Sequence, residues 1–289
     1  MKPLLHAQRF RTPFVGVRLQ ALDAAKRELP GMVASGFVRR LGGVLYLYTC
    51  WHVVTGFDPY EISVGFTLPA RRYLAIALQG AELRNPGMLV VGGLQTFTVP
   101  LYEEDVPSSK PLWEQDDQHT PHAELNAIGL HVPFWHDVVR IKLPADLFVS
   151  DMQIVDEERL FQGNMPLLSA GDKCLVVGYP YGFSAFGQSQ PTPIALTRFV
   201  ASDRIAGRHQ QFLLEAIGAP GMSGGPVFVE REQDLLLIGV YTGSIYPDHL
   251  LHTKEKVTAL GTVANISMLL WDALQLVRHP SEPVLPSGS

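Results

Sequence analysis

The ten residues Ala219-Pro220-Gly221-Met222-Ser223-Gly224-Gly225-Pro226-Val227-Phe228 constrain this chain more than any other stretch, because they hold one hydroxyl between glycines and then run into a β-prone segment. A serine hydroxyl is a weak nucleophile at neutral pH. It needs a base to take its proton and backbone N–H groups to hold the oxyanion that develops on the carbonyl it attacks. Glycines beside it let a substrate approach the backbone closely. The string Gly-x-Ser-x-Gly by itself also suits a strand-to-helix elbow. Here Pro226 to Val229 continue as an apolar run, Glu230-Arg231-Glu232-Gln233-Asp234 turns the chain, and Leu235 to Tyr241 form a second run. That is a hairpin, with no helix after the serine. It points to an all-β chain with Ser223 as candidate nucleophile.

A chain of 289 residues, 46% hydrophobic and 18% charged with 26 Gly and 22 Pro, can bury a substantial core and turns often. A net charge of −5 gives no basic face for nucleic acid or for an anionic membrane. The first eleven residues lack the apolar centre of a secretory signal, and no apolar run is long enough to span a bilayer. Cys50 and Cys174, the two cysteines, stand far apart, so a reducing, cytoplasmic setting is expected.

Two further segments carry chemistry. Ala34 to Val38 and Val44 to Thr49 read as strands joined by a turn containing Gly42-Gly43, and the second delivers Cys50-Trp51-His52-Val53-Val54. A histidine at the end of such a strand can serve as general base; a half-buried histidine satisfied by a carbonyl is the alternative. Trp135-His136-Asp137-Val138-Val139-Arg140-Ile141 places a carboxylate just before an alternating strand. Asp137 can hold an imidazole in the tautomer whose other nitrogen faces the serine. His119, His122, His131 and His136 match no zinc spacing, so neither a metal nor a cofactor is expected.

These segments resemble the trypsin-like (chymotrypsin-fold) serine proteases. Gly-x-Ser-Gly-Gly-Pro before a strand is similar to their nucleophile segment. Ser35-Gly36-Phe37 with His52-Val53-Val54 resembles the histidine region of bacterial trypsin-like peptidases such as the high-temperature-requirement proteases, with Trp51 in place of a small residue. Asp137-Val138-Val139-Arg140-Ile141 is similar to their aspartate element. Ala170-Gly171-Asp172 and Gly178-Tyr179-Pro180-Tyr181-Gly182 resemble the strand that opens their second barrel. The order His, Asp, Ser agrees, whereas an α/β-hydrolase would order Ser, acid, His.

The resemblance implies two six-stranded antiparallel β-barrels with a C-terminal helix: residues 12–145 carrying His52 and Asp137, residues 146–278 carrying Ser223 and the helix at 266–277, and a tail at 279–289. It implies a serine endopeptidase acting on a protein or peptide substrate, with Gly221 and Ser223 N–H groups as oxyanion hole. Ile217, Tyr241, Thr242 and Gly243 are then expected to line an uncharged pocket for small or medium apolar residues, with Glu215 and Asp248 as the acids that could alter it. Met222 cannot ion-pair with a freed N-terminal amine, so control is expected through loops such as 102–130 or through a regulatory protein partner. A non-catalytic protease-like binding module, and an esterase or acyl hydrolase with the same triad, are the alternatives.

Overall fold

The computed structural model describes residues 14–57, 71–84, 88–103, 110–115, 137–147, 149–155, 168–183, 192–202, 211–216, 219–231, 234–245 and 260–265. They are mostly antiparallel β, in two sheets. The first contains β1 (Gly16–Leu22), β2 (Glu28–Leu41), β3 (Val44–Thr49), β4 (Tyr73–Arg84), β5 (Met88–Pro100), β6 (Trp113–Gln115), β7 (Val139–Lys142) and β8 (Ile154–Val155). Its order is β5-β4-β1-β2-β3-β7-β6, with β8 pairing in parallel beside β2. A one-turn helix, α1 (Trp51–Thr55), follows β3. The second sheet closes into a six-stranded barrel, β10-β11-β14-β13-β12-β9, from β9 (Lys173–Gly178), β10 (Ile194–Ser202), β11 (Gln211–Leu214), β12 (Pro226–Arg231), β13 (Asp234–Ile245) and β14 (Leu260–Asn265).

Local sequence explains most of these elements. Gly42 and Gly43 take φ of +53° and +79°, the left-handed pair that a two-residue hairpin between β2 and β3 requires. Alternating residues of β1 to β3 and β7 then share one face, where Val17, Leu19, Val38, Leu47, Val139 and Ile141 are buried. Each such side chain contributes on the order of 1.5–3 kcal/mol. Val176, Phe212, Val227, Ile238 and Val263 fill the second barrel. Val177, Phe228, Leu237 and Val240 pack into the first core, so the sheets share an apolar contact along β9, β12 and β13.

The first sheet differs from the six-stranded barrel expected for it. Its described strands number eight and follow an open path, because β4 and β5 form a long edge hairpin and the short β6 and β8 add to it. Two or three residues carry no readable period, which is why β6 and β8 have no signal in the sequence. The chain also stays with this sheet past the boundary expected at residue 145: Leu147, Val149, Ile154 and Val155 are buried in its core. β14 is a further strand, with no strand signal of its own in the sequence. The helix expected at 266–277, the tail at 279–289 and the histidines at 119, 122, 131 and 136 lie outside the described residues.

Candidate active site

His52 sits in α1, not at a strand end as expected. The helix is five residues long, and its orientation comes from what surrounds it. Trp51, Val53 and Val54 are buried beneath it. Gly56, at φ +86°, closes it with its N–H donating to His52 O at 2.9 Å. Arg71 Nη1 also donates to His52 O and Val53 O, each at 2.6 Å, placing a cation on the carbonyl end of the helix. Burial pulls the Arg71 guanidinium below its ordinary pKa.

Asp137 precedes β7, and the pairing of β7 with β3, Val139 opposite Thr49, brings it beneath α1. It is 2% exposed. Its Oδ1 accepts the backbone N–H of His52 at 2.9 Å, and its Oδ2 lies 2.5 Å from His52 Nδ1. The carboxylate therefore fixes both the backbone and the ring of one residue. With Nδ1 facing Asp137, Nε2 is the ring nitrogen left for an acid–base step. The His52 side chain keeps 28% of its surface open to solvent.

The loop that carries Ser223 is tied from the second barrel to the strands next to this pair by several bonds. Ser35 N–H on β2 donates to Ser223 O at 2.9 Å, and Thr49 Oγ1 donates to Ser35 O at 2.9 Å. Gly224 N–H donates to Tyr241 O at 2.8 Å, and the Cys50 thiol meets the same carbonyl at 3.3 Å. One oxygen thus joins the neighbour of Ser223 to the segment that carries His52. Gly224 has φ +87°, and an added Cβ would collide with Ser35 O and Thr49 Oγ1. The glycine is required here for close approach as well as for its backbone.

Two amide groups beside Ser223 have fixed directions. The Pro220–Gly221 peptide is trans and its carbonyl accepts from Tyr181 N–H at 2.5 Å. In a planar trans peptide the N–H points opposite to the C=O, so Gly221 N–H is aimed away from Tyr181. Met222 O is likewise held by Gly225 N–H at 2.9 Å, which orients Ser223 N–H. Among the described residues, neither amide donates to a backbone acceptor. Ser35 Oγ braces the loop: it accepts from Tyr179 N–H at 2.9 Å and donates to Gly221 O at 2.7 Å. Met222 is fully buried in the second core.

The expected pocket residues divide. Gly243 has φ +146° and nothing within 4 Å of the position of a Cβ. Thr242 is buried, and the Tyr241 ring lies inside the barrel against Gly261. Glu215 is occupied: its Oε2 accepts the Phe199 N–H at 2.5 Å. Ile217 and Asp248 lie outside the described residues. Ser35, Thr49, Arg71 and Tyr181 were not expected to support the site. Ser35 alone had a signal, its place next to Gly36-Phe37.

Donor atoms of Cys50, His52 and Asp137 all lie within 4.8 Å of one another, the one such cluster among the described residues. A metal would need the thiolate. Burial, and after it the Asp137 carboxylate, push the Cys50 thiol well above its ordinary pKa. Both Asp137 oxygens are engaged by His52. The set suits hydrogen bonding better than metal ligation. No protein-family model matches the chain, and no curated protein matches it.

Proposed function

We propose that the chain is a serine endopeptidase of the chymotrypsin type, with its active site between the two sheets. The observation that carries this reading is the pair of hydrogen bonds that the buried Asp137 carboxylate accepts from the backbone N–H and ring of His52, together with a serine loop whose Gly221 and Ser223 amides are aimed and, among the described residues, donate to no backbone acceptor. A histidine held only for packing has no need of a buried carboxylate that fixes its ring and backbone together.

In this reading Ser223 Oγ attacks a peptide carbonyl carbon while His52 Nε2 takes the hydroxyl proton. Asp137 stabilises the imidazolium that forms. The developing oxyanion is held by Gly221 and Ser223 N–H groups. His52 then gives its proton to the departing amine, and water, activated by the same ring, hydrolyses the acyl-enzyme. The acyl half of the substrate lies along β13, where Gly243 leaves space and the Glu215 carboxylate is engaged by Phe199 N–H, so small or medium apolar residues are favoured before the cut. With Met222 buried and apolar, no N-terminal cleavage is required for activity.

A fluorophosphonate probe tests the reading: wild type should label at Ser223 and hydrolyse peptides, and Ser223→Ala should do neither. Wild type that fails to label and to cleave any member of a peptide library would be a binding module instead. Ester hydrolysis without peptide hydrolysis would make it an acyl hydrolase.

A further inference from the structure

Met32, Leu112, Tyr181, Phe183 and Phe199 are large apolar side chains that stand exposed. Of these, Met32, 43% exposed, reaches the support of His52, because Arg71 Nη2 lies 2.9 Å from its sulfur. The strand pairing explains the contact. Gln20 pairs with Val33 and Leu22 with Glu28, so the single residue Ala21 on β1 stands against Leu29, Pro30, Gly31 and Met32 on β2. The excess chain bows out, turned by Gly31 at φ +71°, and leaves residues 30–32 exposed. Arg71 arrives at the same end of β1 from its other side, where Tyr73 pairs with Leu22 and Arg72 N–H donates to Leu22 O at 2.9 Å. A surface sulfur and a half-buried guanidinium therefore meet beneath the bow.

That guanidinium has two kinds of partner. Nη1 donates to His52 O and Val53 O, and Nη2 donates to the thioether, which is a weak acceptor. A guanidinium is a rigid planar fork, so a force on one nitrogen swings the other. Oxidation of the sulfur alters this contact whichever of its lone pairs reacts. An oxygen added toward Arg71 would stand one S–O bond closer to Nη2 than the sulfur does, inside contact distance. An oxygen added toward solvent leaves a positively polarised sulfur against a cation. Either sulfoxide removes the contact that fixes the outer nitrogen of Arg71. Met152 and Met222 are buried, so an oxidant in solution reaches Met32 before them.

Resting on the peptidase reading, we propose that Met32 is an oxidation site through which a peroxide reversibly lowers activity, by way of Arg71 and the helix that carries His52. A sulfur lone pair attacks one peroxide oxygen, and the S–O bond forms as the O–O bond breaks. The hydroxide released takes the proton from the hydroxysulfonium and leaves as water. Sulfur gives up two electrons and the peroxide accepts them. The helix α1 is one turn long, and its carbonyl end is held by Arg71 and by Gly56 N–H. With Arg71 displaced, that end loosens and the His52 ring loses its fixed direction toward Ser223. Reduction of the sulfoxide by a dithiol-dependent methionine sulfoxide reductase returns the thioether, with the oxygen leaving as water and the dithiol becoming a disulfide.

The test treats the full chain with limiting hydrogen peroxide and follows Met32 sulfoxide by peptide mapping, the rate of fluorophosphonate labelling, and amide hydrogen exchange over residues 53–56. In wild type the labelling rate should fall about three- to tenfold in step with Met32 sulfoxide, since a small misplacement of a catalytic group is costly. Exchange at 53–56 should quicken several-fold, and methionine sulfoxide reductases A and B with a dithiol should reverse both changes. Met32→Leu keeps an apolar side chain of similar size; it should begin near the wild-type rate and lose little of it in peroxide. Met32 sulfoxide with an unchanged labelling rate, or an equal loss in Met32→Leu, overturns the proposal and leaves the peptidase reading standing. Untreated wild type that takes no probe and cleaves nothing overturns that reading, and the exchange at 53–56 then decides by itself whether Met32 oxidation loosens α1.

Discussion

Ser35 N–H and Ser223 O are 2.9 Å apart, and this bond joins the strand leading toward His52 to the loop carrying the candidate nucleophile. The Ser35 hydroxyl adds a second tie, between Tyr179 N–H and Gly221 O. One residue on β2 thus sets the loop on which both aimed amides lie. Ser35→Ala keeps the first bond and removes the second. It should lower kcat about 10- to 100-fold through a loosened oxyanion loop, change KM little, and cost about 1–2 kcal/mol of stability. Steady-state kinetics with chemical denaturation checks this; an unchanged kcat would show that the loop holds its shape without the hydroxyl.

Asp137→Asn should leave the fold in place and reduce peptide hydrolysis on the order of 10⁴-fold, because an amide in that position favours the wrong imidazole tautomer. Ser223→Ala and His52→Ala should lose as much, and combining them should add little, since the three act as a unit. Residual activity near wild type in any of these would remove that residue from the mechanism.

Arg71 holds α1 by its carbonyl end and is the only described side chain bonded to both His52 O and Val53 O. Arg71→Met leaves those carbonyls without the charged donor, a loss of about 1.5–3 kcal/mol for bonds of this kind. The expected result is a lower unfolding midpoint with a fall in kcat of about tenfold, and Arg71→Lys should restore part of both. A variant with normal kcat and normal stability would mean that Gly56 and the buried Trp51 hold α1 unaided.

Both thiols should be inert in the native protein. Burial drives Cys50 well above its ordinary pKa, and burial with the nearby Asp172 carboxylate pushes Cys174 up to about 12. At pH 7–8 neither is a thiolate, and both are buried and unpaired. Alkylation followed by mass spectrometry should show modification of both only in denaturant. Fast native labelling of Cys50 would reveal that the region beneath α1 opens readily.

Asp172 makes the acid side of stability testable. Its hydrogen bond from Arg231 holds the carboxyl below its ordinary 3.8, so ionised Asp172 favours the folded state. That contribution is complete above the ordinary value and is lost as pH falls through the lower folded value. Asp172→Asn removes it, so wild type should exceed the variant by up to about 1 kcal/mol at pH 6 and by less at pH 3. An equal difference at both pH values would assign the loss to packing.

Ser223, His52 and Asp137 stand out as candidates in the sequence because each has a local context of its own: glycines before a β-prone run, the segment Cys50-Trp51-His52 just after a strand, a carboxylate before an alternating strand. The hairpins were legible for the same reason, since turn glycines and runs of β-branched residues act over a few positions. β14 escaped because Leu260 to Asn265 is a short run whose strand character is settled by its partners, β11 and β13. β8, two residues long, exists only because β2 offers it an edge. The aim of the Gly221 and Ser223 amides, the support of His52 by Arg71 and the exposed Tyr181 ring were decided by tertiary structure alone. Ser35 and Gly221 meet across 186 residues of sequence. Hydrogen-bond direction falls off within ångströms, and only the packed chain brings such groups within that range.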